Sequence, residues 1–137
     1  MSFDDVVRVL DETQVVAVMT TKADGTPTAT PIWSMVIDGV PYVRSVQGED
    51  AWWYRHVRAG RPIGFALADG AIAERDRDAA LLLPREQVAT EHVPVDDEVQ
   101  AEVDAELRRK YASSPESVEM MLSDAARACT LRVEPAR

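Results

Sequence analysis

The chain has 137 residues, 46% hydrophobic and 28% charged, with a formal net charge of −9. That length suits one domain, residues 1–137, able to bury its own core, and the acidic balance argues against nucleic acid as a partner, since phosphate backbones are met by basic surfaces. Cys129 is the only cysteine, which excludes an intrachain disulfide, and no apolar run is long enough to span a bilayer. The first residues carry acids where a signal peptide needs positive charge, so the cytoplasm is the expected compartment.

Residues 1–10 read as an amphipathic helix, with Ser2 as cap, Asp5 three residues on, and Val6, Val7 and Leu10 as the apolar face. Residues 14–21 form a β-rich apolar run, and Asp24-Gly25 with Pro27 turns it into a second strand over 28–37. Asp38-Gly39 leads to a third strand, 40–46. Residues 51–59 read as a short helix, with Asp50 as cap and Gly60 as stop. A fourth strand, 61–68, ends at Asp69-Gly70. A strand near 71–74 is expected next, then an excursion over 75–86 whose "AALLLP" calls for packing, as a pocket lid or a surface loop, then a strand near 87–95. A helix from 96 to 111 carries the stripe Val99, Val103, Leu107 and Tyr111. Ser114 and Pro115 open another helix, and 128–133 closes the chain as a strand. The Asp-Gly turns favour antiparallel pairing. The expectation is a mostly β fold with peripheral helices, a six-stranded antiparallel closed or split barrel.

Cofactor-free chemistry finds little support. His56 and His92 lie far apart beside one cysteine, so no metal site is expected, and neither a G-x-S-x-G elbow nor a phosphate-cradling glycine loop is present. Three features stand out instead. Pro31 lies within a strand, which marks an edge or a bulge and could turn the Ile32 or Trp33 N–H towards a ligand. The strand ending "YVRSV" puts Arg44 and Ser45 beside the start of the next helix, where a phosphate would meet a guanidinium, a hydroxyl and a helix N-terminus. Within "AWWYRHVRAG", Trp52 and His56 share one helix face bordered by Arg55, Trp53 and Val57 share the next, and Tyr54 and Arg58 a third. Trp53 therefore reads as a core anchor, and Trp52 as a ligand or subunit contact. Four arginines between Arg44 and Arg61 face only Glu49 and Asp50, a local cationic excess that fits either a solvated face or a site.

These pieces occur together in a known group. The stretches "VMTTKADGTPTATPIW", "VPYVRS" and "WWYRHVRAGRPIGFAL" resemble the flavin- and deazaflavin-binding split-barrel superfamily of pyridoxamine phosphate oxidases and deazaflavin-dependent nitroreductases. The tail "KYASSPESVEMMLSDAARACTLRVEP" resembles a smaller, largely uncharacterised actinobacterial branch of it. The resemblance implies a homodimer with the cofactor, FMN or F420, at the subunit interface. By it, Pro31, Ile32 and Trp33 border the tricyclic ring, Ser45 matches a phosphate-binding serine with Arg44 beside it, and Trp52 and Trp53 match the start of the flanking helix. One departure is that Val46 stands where the nitroreductase pattern has a lysine; Arg55 or Arg58 is the candidate replacement.

The resulting expectation is an oxidoreductase passing hydride to or from a small organic substrate, with His56, Tyr54 and Tyr111 as candidate proton donors. The acidic surface favours FMN over F420, whose tail is acidic. The alternatives are a cofactor-free binding or isomerase/cyclase protein with Trp33 and Trp52 against an apolar substrate, and a dimeric structural or regulatory module. No membrane association is expected.

Overall fold

The computed structural model describes residues 2–137; Met1, which the expected first helix included, lies outside them. Helix α1 (Phe3–Glu12) turns Val6, Val9 and Leu10 inward, and Asp5 Oδ2 accepts the Ser2 N–H at 3.0 Å at its start. Seven strands follow: β1 (Val16–Thr21), β2 (Pro27–Ile32), β3 (Ser34–Ile37), β4 (Val40–Arg44), β5 (Ile63–Ala66), β6 (Arg85–Val93) and β7 (Thr130–Pro135). Every pairing is antiparallel, in the order β2-β1-β5-β6-β7-β4-β3.

The expected six strands are thus seven. The run expected as one strand over 28–37 breaks at Trp33 into β2 and β3, which lie at opposite edges of the sheet although one residue separates them. One residue bridges only about 7 Å, so the sheet must curl until its two edges approach each other at Trp33. The β3–β4 hairpin closes through Asp38 and Gly39, with φ of 51° and 78°, the paired positive dihedrals of a type I′ turn. The strand expected at 71–74 is instead a 3₁₀ turn, Gly70–Glu74. Asp69 Oδ1 accepts the Ala71 N–H at 2.9 Å and starts that turn.

Alternation along the strands divides the core. Inside the curl lie Val16, Val18, Val43, Phe65, Leu131 and Val133. On the other face, Met35 and Tyr42 pack with Val103, Leu107 and Tyr111 of the α4 (Val99–Lys110) region and with Met121 of α5 (Pro115–Met121). The expected stripe on α4 is therefore the packed one. The 75–86 excursion contains helix α3 (Arg77–Ala80) and is seated by Ala80, which joins Ala73 of the preceding turn in a cluster with Ala17, Met19 and Ala66. Helix α2 (Trp52–Arg58) is capped by Ala51, not Asp50, because Gly48–Asp50 forms its own 3₁₀ turn. A last short helix, α6 (Asp124–Arg127), precedes β7. Among the described residues, no helix is long and apolar enough to cross a membrane.

Candidate functional site

The site is built where the sheet's two edges meet. Pro31 sits on β2, an edge strand, where a missing N–H is tolerated. Two residues on, the Trp33 ring stacks on Tyr111 with centroids 3.9 Å apart and planes within 4°. Tyr111 is itself fixed: its hydroxyl donates to Gln14 O at 2.6 Å and accepts the Ser34 N–H at 3.0 Å. One face of Trp33 is thus committed to the protein.

Helix α2 supplies the second wall. Trp53 and Tyr54 are each 4% exposed and meet edge to face, whereas Trp52 is 73% exposed. Trp53 packs in the barrel core with Val57 against it, and Trp52 faces outward with the Arg55 guanidinium 5.8 Å from its ring. Arg55 also donates to Glu49 O at 2.9 Å and pairs with Asp50 at 3.3 Å. Arg58 is exposed and lines neither of the cavities below.

Two adjoining cavities flank β2. The first, about 430 Å³, has Pro31, Ile32 and Trp33 along one side and Trp52 and Trp53 along another. Met120 and Met121 of α5 close it, with Val46 and Gln47 from the loop after β4. The second, about 830 Å³, lies over Thr28 and Thr30 and is bounded by the β1–β2 hairpin, α2 and α3. Thr30, Trp52 and Arg77 line both. The first is mainly apolar and aromatic; the second contains Lys22, Arg55, Arg61, Arg77 and His56, with Asp78 as its one carboxylate.

The anion site expected at the end of β4 is filled from within the protein. Arg44 is 1% exposed. Its Nε donates to Thr130 Oγ1 (2.9 Å), Nη1 to Asp104 Oδ1 (2.8 Å) and Met121 O (3.0 Å), and Nη2 to Gln100 Oε1 (2.7 Å). Four of its five N–H donors are used, so Arg44 underlies the first cavity as a cross-link between sheet and C-terminal helices. Ser45 is fully buried and its hydroxyl donates to Gly48 O at 2.7 Å.

The three expected proton donors also separate. Tyr111 and Tyr54 are buried, and burial pushes each up to about 12; neither lines a cavity. Both are protonated packing groups set back from the two cavities, and of the three expected proton donors only His56 reaches a cavity wall. His56 does line the second cavity, its Nδ1 2.8 Å from Thr20 Oγ1. Lys22, Arg77 and the α5 methionines were not singled out from the sequence, and Arg61 was marked only as part of the cationic stretch that begins at Arg44. Lys22 follows β1 and Arg61 precedes β5, two strands paired with Met19 opposite Gly64, and both side chains line the second cavity; that neighbourhood is visible only once the pairing is known.

Beside Tyr111, the half-buried Lys110 Nζ donates to Leu10 O (2.7 Å) and Ser34 O (2.9 Å). Burial takes its pKa from 10.5 down to about 8. The folded protein therefore holds fewer protons there than the unfolded chain, and stability rises with pH between those values. Relative to Lys110→Met, the wild type is expected to gain melting temperature between pH 8 and pH 10.5. Parallel curves in thermal melts across that range would count against it.

Similarity to solved structures matches this architecture. The conserved hypothetical protein Rv2991 of Mycobacterium tuberculosis superposes with a TM-score of 0.65 at 19% identity, over 100% of this chain and 82% of its own. The heme storage protein HutZ of Vibrio cholerae gives 0.65 at 13%, over 97% and 89%. A proposed pyridoxamine 5′-phosphate oxidase from Lactobacillus delbrueckii gives 0.53 at 17%, over 93% and 84%. Among curated proteins, none matches the sequence. The fold is therefore a split barrel of the pyridoxamine 5′-phosphate oxidase type. The chain belongs to the DUF2255 family, described as uncharacterized and conserved in bacteria, whose profile matches residues 6–133.

Proposed function

We propose that the protein binds a flat tricyclic redox cofactor, FMN or F420, in the tryptophan-lined cavity and serves hydride transfer to or from a small organic substrate. The observation that carries this reading is the cavity itself: an apolar slot between Pro31–Trp33 and Trp52, closed by Met120 and Met121. Its walls suit a ring system. The cofactor's phosphate is not served by Arg44 and Ser45, but the adjoining cavity supplies Lys22, Arg55, Arg61 and Arg77. Those cations also remove the preference for FMN drawn from the acidic surface.

When bound, such a cofactor supplies or accepts the hydride; the chain supplies position and exclusion of water. Trp33, pinned by Tyr111, is a rigid wall, while the exposed Trp52 is free to adjust. His56 is the one group of the three proposed proton donors that reaches a cavity. Val46, Trp52 and Met120 are 42%, 73% and 60% exposed and surround the mouth of the slot, an apolar rim that a second copy of the chain would cover. A homodimer is accordingly part of the proposal, read by light scattering.

The test is direct. Adding FMN or F420 to purified protein is expected to quench tryptophan emission and perturb the cofactor's absorption. Trp52→Ala is expected to weaken binding about tenfold, the effect of losing one aromatic stacking partner, and to leave the melting temperature nearly unchanged because the ring is exposed. If neither cofactor binds, the second reading stands: a cofactor-free binding or isomerase/cyclase site for an apolar molecule. Val46 at the lysine position and the internal commitment of Arg44 favour it. Heme, which HutZ stores, fits less well: the slot offers Met120 and Met121 but no histidine, cysteine or tyrosine as an axial ligand.

A further inference from the structure

The second cavity has properties that a ring-binding slot does not require. Lys22, Arg61 and Arg77 line it with Arg55, against one carboxylate, Asp78, in a chain of net charge −9. Among the described residues, Lys22, Arg61 and Arg77 make no ion pair. Cations that outnumber the carboxylates around them repel one another, and a bound anion relieves that repulsion. Such a cluster in an otherwise acidic molecule is a local exception, and it is concave.

A second observation points the same way. His56, 5% exposed, faces this cavity. Its Nδ1 is anchored to Thr20 Oγ1 at 2.8 Å, and Thr20 Oγ1 lies 3.0 Å from Thr28 Oγ1. Among the described residues its Nε2 has no hydrogen-bond partner, although the ring is almost wholly buried. Burial, with Arg61 and Lys22 nearby, lowers the His56 pKa and favours the neutral ring. The hydroxyl chain can then run in either direction. When Thr28 donates to Thr20 and Thr20 to Nδ1, Nε2 carries the proton and presents a donor to the cavity.

We propose that this cavity is a binding site for an anionic group, a phosphate or a carboxylate, held by Lys22, Arg61 and Arg77 and met from beneath by His56 Nε2–H. An anion selects the hydroxyl direction that makes Nε2 a donor, so the Thr28–Thr20–His56 chain positions the proton. Two sources present this chemistry: the anionic arm of a ligand whose ring occupies the adjoining slot, or a separate anionic substrate. The anion site stands without the cofactor reading; only the first source rests on it.

The experiment uses the full chain with inorganic phosphate, FMN and riboflavin as probes, followed by calorimetry and by the His56 ring-nitrogen resonances. Phosphate alone is expected to bind and to shift the Nε2 resonance. Arg61→Gln and Lys22→Gln are each expected to weaken that binding about tenfold, as the loss of a charge-assisted contact does. Thr20→Val, which breaks the hydroxyl chain at similar volume, is expected to weaken it severalfold. An unmoved His56 resonance at saturating phosphate, or both glutamine variants binding phosphate as the wild type does, overturns the site. If FMN binds more tightly than riboflavin and Arg61→Gln abolishes the difference, the anion is the arm of the ring ligand. If the two bind equally and phosphate adds to either, it is a separate molecule. Failure of both FMN and riboflavin while phosphate still binds removes the cofactor reading and leaves this site standing.

Discussion

Arg44→Met is expected to lower the melting temperature by about 10–20 °C. Arg44 is the largest fully buried side chain among the described residues, and its guanidinium ties β4 to Thr130 of β7, Gln100 and Asp104 of α4, and the Met121 carbonyl of α5. Removing one partner of a buried ion pair leaves the other charge without compensation, a loss of about 3–5 kcal/mol. At this chain length each kcal/mol corresponds to roughly 3–5 °C. Arg127 cannot fully take over: its Nε lies 3.5 Å from Asp104 Oδ2 and has no hydrogen bond. Arg44→Lys, with a compact ammonium in place of the planar fork, is expected to fall between the two. The measurement separates the structural role from the ligand role read from the sequence. A variant that melts like the wild type but loses affinity for phosphate or FMN would return Arg44 to the binding site.

Gly70→Ala is expected to be comparably damaging for a different reason. A Cβ at Gly70 would lie 2.7 Å from Val16 Cα and against the Ala17 backbone nitrogen. Both belong to β1, which is paired on one side with β2 and on the other with β5, and both are fully buried. The strand cannot retreat without losing ladder bonds, and the turn cannot retreat without losing the Gly70 N–H bond to Val15 O at 3.0 Å. Backbone held on both sides makes this a severe case of overpacking, about 3 kcal/mol or more. Gly25→Ala is the control: its φ is 90° but nothing lies within 4 Å of the added methyl, so only about 1 kcal/mol of backbone strain is expected. A Gly70→Ala protein melting within 2 °C or so of the wild type would show that the turn yields freely. Because the following segment carries Arg77 between the two cavities, the variant is also expected to weaken phosphate binding.

Much of the fold was legible because it is local. The Asp38-Gly39 hairpin follows from two residues tolerant of positive φ. The α4 stripe follows from helical spacing, and the contrast between Trp52 and Trp53 follows from their being 100° apart on one helix. The errors arose where tertiary contacts override local preference. Residues 71–74 have a strand's composition, yet the close approach of Gly70 to β1 makes them a turn. Residues 28–37 are continuous in β-propensity, and no local signal says that Trp33 is where the chain passes from one sheet edge to the other.

The candidate site divides along the same line. The sequence by itself singled out Pro31 to Trp33 and Trp52, which line one cavity, and marked the Arg44–Arg61 stretch as cationic, because composition and helix phase are properties of neighbouring residues. Only the tertiary structure decided which cations are free. Arg44 carries the same charge as Arg61, but it meets Asp104, Gln100, Thr130 and Met121 across separations of 56 to 86 residues. Lys22, just after β1, and Arg61, just before β5, line one cavity and form no ion pair among the described residues. Whether a charge is a strut or a ligand depends on what the fold places opposite it, and that is set by long-range packing.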